Sequence, residues 1–360
     1  MIMSNPLKVG LVGTGRIARA HMTAYLQYPD RVKLMAVCDI DESAAQEYAK
    51  LSNVDAVYRD FDKMLREAEI DAVDICTIHD QHPAQVIAAA EQGKHVLTEK
   101  AMAHTLQGCR DMIEATDGAG VVLMVAQNLR YVPDSVAVKR LMEEGALGKI
   151  QAVRTHAIFA VTRANAAGHW MNDGKRAGGG ILMTNTIHHV DLLRYYVGNV
   201  KRVTGVCKAV QPEMVNGAED LVVATLEFEN GVIGDLFGNW TTFRSPEAMS
   251  YMVFGSNGTL HSTPPKTPEQ GLNQFGTIMM SLKSQDQGEA GRPVFEPVAT
   301  TEVDLPSDNC FVNEILHFED CCREGKEPIS SGKDNIETIK MIMGIYESSR
   351  TGRAIDLDSL

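Results

Sequence analysis

Leu7-Lys8-Val9-Gly10-Leu11-Val12-Gly13-Thr14-Gly15-Arg16-Ile17-Ala18 decides how this chain begins to fold. A short apolar run reads as a strand, a glycine-rich turn follows at once, and the turn opens onto a helical pattern over residues 17–28. The turn fits G-x-G-x-x-A. Gly13 permits the tight turn, Gly15 lets the backbone approach a pyrophosphate, and the small Ala18 lets helix and strand pack closely. The helix start at Arg16 and Ile17 then offers N–H groups and a partial positive charge to phosphate oxygens. A glycine-rich turn alone is equally an ordinary strand-to-helix turn; its position after a strand and before a helix makes it a dinucleotide loop. The next strand should then end in an acidic residue about 20 residues on. Residues 32–38 are strand-like and Asp39 follows them. A carboxylate there suits ribose hydroxyls and repels a 2′-phosphate, and no arginine comes next, so NAD is favoured over NADP.

Outward from the loop, strand-like runs at residues 72–77, 95–98 and 121–125 alternate with helical patterns at 41–51, 83–92 and 106–116. This alternation implies a parallel sheet covered on both faces, an α/β arrangement. The pattern changes near Gln127. A helix at 133–144, a strand at 149–154 and a helical stretch at 180–196 lead into strand runs at 202–209, 221–228, 232–240, 251–255 and 259–262. Glu229-Asn230-Gly231 and Gly255-Ser256-Asn257-Gly258 read as hairpin turns between them. Strands joined by tight turns make an antiparallel sheet, so the second part is α+β. Residues 264–306 read as loops and irregular excursions with room for one or two strands, and helices over 309–324 and 334–350 close the chain.

A chain of 360 residues exceeds one average core and suits two domains or one large barrel. The net charge of −13 repels phosphate backbones and anionic lipid, which argues against nucleic-acid and membrane partners. No charged leader followed by an apolar stretch opens the sequence, and no apolar run approaches the ~18–20 residues that cross a bilayer. The seven cysteines include no C-x-x-C pair. They read as small buried residues rather than a disulfide framework or zinc site, and a cytoplasmic protein is expected.

Gly93-Lys94-His95-Val96-Leu97-Thr98-Glu99-Lys100, taken with the N-terminal loop, resembles the Gfo/Idh/MocA family of glucose–fructose oxidoreductase and inositol dehydrogenase. Thr77 to His82 resembles the family's loop after the fourth strand, Asn128 to Pro133 its domain junction, Gly178-Gly179-Gly180 through His188 and Asp191 its catalytic helix, and Tyr346 to Gly352 its C-terminal signature. The resemblance implies a Rossmann NAD-binding domain over residues 1–127. It implies an α+β substrate-binding and oligomerisation domain over 128–360, with an open, mostly antiparallel sheet through which homodimers or homotetramers form. It also implies hydride transfer between NAD(P) and the alcohol or carbonyl of a carbohydrate-like or cyclic small molecule.

Lys100 matches the lysine of the family's Glu-Lys-Pro motif and would polarise the reacting oxygen. Here Ala101 replaces the proline, so the backbone is expected to be less restrained. Glu99, Thr77 and His82 are expected beside the cofactor, His82 also as a helix cap. His188 matches the catalytic histidine, whose imidazole suits removal of an alcohol proton. Thr184, His188 and Asp191 would share one helix face, and Asp191 either orients the imidazole or pairs structurally. The neighbouring His189 points elsewhere around the helix, although exchanged roles remain open at this stage. Many relatives carry Asp where Thr184 stands; threonine holds no charge, and Asn185 would supply part of the polarity. Arg130, Tyr131, His156, Arg163 and Trp170 are candidates for substrate contact, with His169 and Arg176 in segments that could join them. The His79-Asp80-His82 cluster lacks a further ligand at recognisable spacing, so no metal is expected. The leading function is an NAD-dependent dehydrogenase or reductase of a sugar, polyol or sugar acid. The alternatives are a redox-neutral glycosidase or lyase with retained NAD, and a non-catalytic NAD-binding regulator.

Overall fold

The computed structural model describes residues 5–158, 166–242, 250–263, 276–283, 294–298 and 304–360. The chain forms two compact units, Met1–Gln127 with Pro306–Ile339, and Asn128–Leu305 with Lys340–Leu360. The first holds β1 (Leu7–Val12), β2 (Val32–Cys38), β3 (Ala56–Tyr58), β4 (Ala72–Ile75), β5 (His95–Glu99) and β6 (Leu123–Ala126). They lie in the order β3-β2-β1-β4-β5-β6, every neighbouring pair parallel. The order reverses between β1 and β4, and sheets of this kind bind ligands beyond the strand ends at such a reversal. β4 and β6 are buried throughout, as a sheet covered on both faces requires. The covering helices carry local start and stop signals. Asp41 caps Glu42–Ser52 through the N–H groups of Ser43 and Ala44, and Thr105 caps Leu106–Ala119 through Gly108.

Residues 306–339, which the sequence reading groups with the second domain, lie in the first unit. The helix Cys310–Glu324 buries Phe311, Val312, Ile315, Leu316 and Phe318 and packs on the helix Arg16–Gln27. Arg31 pairs with Glu319 and Asp320, and the amide of Val125 donates to Ser330 O at 2.9 Å beside β6. An amphipathic helix far along the chain carries no mark of which core will bury its apolar face. β3 and the helix Phe61–Glu67 also go beyond the sequence reading; both are too short to show a period.

The second unit holds β7 (Ile150–Ile158), β8 (Val200–Lys208), β9 (Leu221–Phe228), β10 (Ile233–Asn239), β11 (Ser250–Gly255), β12 (Gly258–Ser262), β13 (Ile278–Leu282), β14 (Glu296–Pro297) and β15 (Ile355–Asp356). Their order is β14-β13-β12-β11-β7-β10-β9-β8-β15. All pairs are antiparallel except β7 with β10. Burial alternates strictly along β9, so one face is covered and one is open. The helix Ile187–Val197 packs on the covered side of β7, and Ser348 and Ser349 of the helix Gly332–Thr351 accept the amides of Gly205 and Cys207 on β8. Val206, Val223 and Ile233 stand more than half exposed. Among the described residues no helix is long and apolar enough to cross a membrane.

Candidate active site

In the first unit the turn after β1 has the shape its glycines predict. Gly13 has φ +86°, and a Cβ there would lie 2.8 Å from the backbone C and O of Cys76 at the end of β4. Gly15 is exposed, nothing stands within 4 Å of where its Cβ would be, and no side chain caps the helix Arg16–Gln27. Arg16 is exposed and Ile17 half-buried beside it. An uncapped helix start with open space over a glycine fits a dinucleotide pyrophosphate. Asp39 Oδ2 accepts from the amide (2.7 Å) and hydroxyl (2.9 Å) of Thr14, and Oδ1 accepts from the amide of Asp41. The acidic residue therefore ties the end of β2 to the glycine turn. Gly13→Ala should abolish measurable NAD binding, because strain of about 1–3 kcal/mol adds to a clash with backbone that cannot swing away. Titration by NADH fluorescence checks this, and wild-type affinity in the variant contradicts it.

Lys100 follows β5 and is half-buried. Its amide donates to Glu99 Oε2 at 3.0 Å. Burial lowers the pKa of its ammonium, opposed by Glu99 and reinforced by Arg16. Ala101, Met102 and Ala103 are fully buried, and the Lys100–Ala101 peptide is cis. The segment is thus held by packing, where the missing proline suggests freedom. His82, fully buried, has Nδ1 2.8 Å from Ala101 O and Nε2 3.2 Å from Thr77 O. It bridges two loops, with burial lowering its pKa, and it supplies no side-chain cap. Thr77 donates its hydroxyl to Gln85 at 2.6 Å.

Beneath Glu99 lies a buried cluster that sequence reasoning missed. His21 Nδ1 stands 2.9 Å from Asp74 Oδ2, Tyr25 donates to the same oxygen at 2.7 Å, and His21 Nε2 is 3.3 Å from Glu99 Oε1. Burial works against a charge on His21, but Asp74 and Cys76 outweigh it and raise the imidazole pKa well above its usual value. The cluster ties the dinucleotide helix to β4 and to the residue before Lys100. The only sequence signal was a histidine and a tyrosine four apart on the buried face of that helix.

In the second unit, Gly178–Gly180 leads into a π-helical segment, Leu182–Thr186, and the helix Ile187–Val197. π segments recur at functional sites. Between Ile181 and Arg194 every residue is buried except Asn185 and His188, three apart and both half-buried. Asn185 Oδ1 has no hydrogen-bond partner among the described residues. Thr184, expected on the open face, is 1% exposed and donates its hydroxyl to Gly180 O at 2.7 Å. Asn185, three residues before His188, is thus the half-open polar neighbour, while Thr184 is covered. His189 is buried with Nδ1 2.8 Å from the Thr155 hydroxyl, and burial, with His156 adding, pushes its pKa down to about 3. It stays neutral at working pH, so His188 is the proton-carrying candidate of the pair.

Arg130, expected on the substrate, is 2% exposed and gives Nε and Nη2 to the two Asp191 oxygens, each at 2.7 Å; its guanidinium lies 5.2 Å from the Tyr195 ring centre. Asp191 thus takes the structural alternative. Tyr131 is buried in the same 3-10 turn, Asn128–Tyr131. His156 lies on the open face of the sheet, edge-on to Phe237, on the opposite side of β7 from Thr155 and His189. Strand alternation decides this, and no composition signal shows which parity faces the helix. Trp170 stacks on His169 and lines a cavity of about 310 Å³ with Asn172, Asp173, Arg176 and Glu213. Arg163 lies outside the described residues.

Residues 7–127 match the Gfo/Idh/MocA model described as an oxidoreductase family with an NAD-binding Rossmann fold, and residues 139–357 match that family's C-terminal alpha/beta domain. The chain belongs to this oxidoreductase family. D-apiose dehydrogenase of Paraburkholderia graminis is 28% identical over 98% of this chain and 90% of its own length. Myo-inositol 2-dehydrogenase of Thermotoga maritima is 25% identical over 98% and 99%. The WlbA dehydrogenase of Bordetella pertussis, solved in complex with NADH and UDP-GlcNAcA, shares 25% identity and a TM-score of 0.80, covering 98% of this chain and 99% of that one. As a Gfo/Idh/MocA member the protein is an NAD-binding oxidoreductase, and the open Gly15 loop belongs to the domain that the family model describes.

Proposed function

We propose that this protein is an NAD-dependent dehydrogenase or reductase acting on a CH–OH group of a sugar, polyol or sugar acid. The observation that carries the reading is the helix at 181–194, buried everywhere except at Asn185 and His188. An imidazole kept half-open beside an amide with an unused acceptor suits a polyhydroxyl ligand, and relatives named for apiose and inositol support that class. Bound NAD supplies the hydride acceptor for the oxidation. His188 takes the alcohol proton on a ring nitrogen, and Lys100, at the end of β5 in the NAD-binding unit, is the candidate hydrogen-bond donor for an oxygen that develops negative charge. Asp39, with its carboxylate fixed by Thr14, supports NAD over NADP. A panel of sugars, inositols and uronic acids with each cofactor, followed by NADH absorbance, tests the assignment. Turnover without net NADH would replace it with the redox-neutral reading, and NAD binding without any turnover with the regulatory one.

The open sheet face supports self-association. Val206 pairs across to Val223, Val223 to Phe237, and Phe237 to His156, so one lateral row crosses β8, β9, β10 and β7. Val206 and Val223 in that row are 66% and 53% exposed, and exposed apolar rows of this kind mark association surfaces. We expect a homodimer or homotetramer by light scattering, and Val223→Asp should shift it to monomer with NAD binding retained. A monomeric wild-type protein would remove the proposal. The seven cysteines are free thiols, which supports a cytoplasmic location.

A further inference from the structure

Glu219 stands just before β9 and is 3% exposed. Its Oε2 accepts the amide of Gly180 at 2.7 Å, and its Oε1 accepts the amide of Leu182 at 2.8 Å and the hydroxyl of Tyr346 at 3.2 Å. Its own carbonyl accepts the amide of Ile181 at 2.8 Å. One residue therefore holds three consecutive amides at the start of the segment that carries Asn185 and His188. The glycines exist for this approach. A Cβ on Gly180 would stand 1.7 Å from Glu219 O, and one on Gly179 1.9 Å from the Tyr346 hydroxyl.

Helix starts are ordinarily capped by a neighbouring Ser, Thr, Asp or Asn. Here the cap is a buried carboxylate from a distant segment, favoured by the helix dipole when ionised but costly to bury. Burial raises the Glu219 pKa to about 7, against the amides of Leu182 and Gly180 and the Tyr346 hydroxyl. The groups facing it are Tyr346 on the C-terminal helix and Cys207 on β8. Burial raises the pKa of both, Cys207 to about 12 and Tyr346 well above its usual value. Asp220, next in the chain, turns its oxygens to the amides of Val210 and Gln211. Within this cluster Glu219 is the group that changes charge near neutrality.

We propose that Glu219, steadied by Tyr346, is a positioning residue: ionised, it seats the turn at Gly180–Leu182 and so sets how Asn185 and His188 are presented; protonated, it loosens that seat. Its effect on rate rests on the reading of His188 as proton acceptor, whereas its effect on the imidazole's surroundings does not.

The test is NMR of the NAD-loaded protein labelled with ¹³C-histidine, with the His188 signal assigned through His188→Asn and followed across the neutral pH range. The wild-type signal should show an inflection contributed by Glu219. Glu219→Gln, neutral at every pH, should abolish it. Tyr346→Phe removes a bond that favours the ionised form, so it should move the inflection to higher pH; it carries the test if the Gln variant does not fold. In turnover, Glu219→Gln should lower kcat about 10- to 100-fold with KM for NAD unchanged. A His188 signal in Glu219→Gln that tracks wild type, or an inflection unmoved by Tyr346→Phe, overturns the proposal. Should the NMR behave as expected while His188→Asn keeps its activity, the functional reading fails and the positioning by Glu219 stands.

Discussion

His188→Asn should lower kcat by about 10²–10⁴-fold, the usual worth of general acid–base catalysis, while NAD still binds to the first unit. No neighbour on the helix can take over. His189 is neutral, buried and bonded to Thr155. Thr184 has given its hydroxyl to Gly180. Asp191 holds Arg130 with both oxygens. Asn185, the other half-open residue, can accept or donate a hydrogen bond but takes up no proton near neutrality. The measurement is steady-state turnover on whichever substrate the panel identifies, with NADH titration as the control for binding. His189→Asn serves as a comparison. It should cost stability through the lost Thr155 bond, yet leave the pH profile of turnover in place. Near-normal turnover in His188→Asn would move the proton acceptor elsewhere.

Arg130→Met should destabilise the second unit by about 3–5 kcal/mol, because it takes the bidentate guanidinium away from the buried Asp191 carboxylate. Both partners are 2% exposed, so water cannot restore the lost bonds. For a unit of this size the loss corresponds to a melting-temperature drop on the order of 10 °C. The double variant Arg130→Met with Asp191→Leu should recover most of it, since an apolar pair replaces a buried ion pair at little cost. Differential scanning calorimetry of both variants decides the matter. A single variant as stable as wild type would show that Asp191 finds another partner.

The dinucleotide loop shows how far local pattern reaches. The conformation of the glycine turn is set by its own residues, so residue types were enough to place Gly13, Gly15 and Asp39 where the structure has them, although β1 pairs with β4 and the following helix packs on Cys310–Glu324. The alternation of strands and helices likewise gave the parallel sheet, and the hairpin turns gave the antiparallel one. Helical spacing puts Thr184 on the face of His188 but does not show that the residue is covered; its burial and its bond to Gly180 O come from what packs around the segment. Arg130 was legible as a charged residue near the domain junction, but whether it met solvent, substrate or Asp191 depended on a partner 61 residues away.

By itself the sequence determined the order of most elements and the cofactor class, since each rests on short-range pattern and side-chain type, while the candidate roles of Lys100 and His188 came from the family resemblance. Only the tertiary structure decided which of two adjacent histidines is open, that residues 306–339 return to the first unit, and that His21 and Glu219 lie behind the candidate residues. The reason is burial. A side chain's pKa, its partners and its exposure are set by whatever packs against it, and those neighbours come from distant parts of the chain.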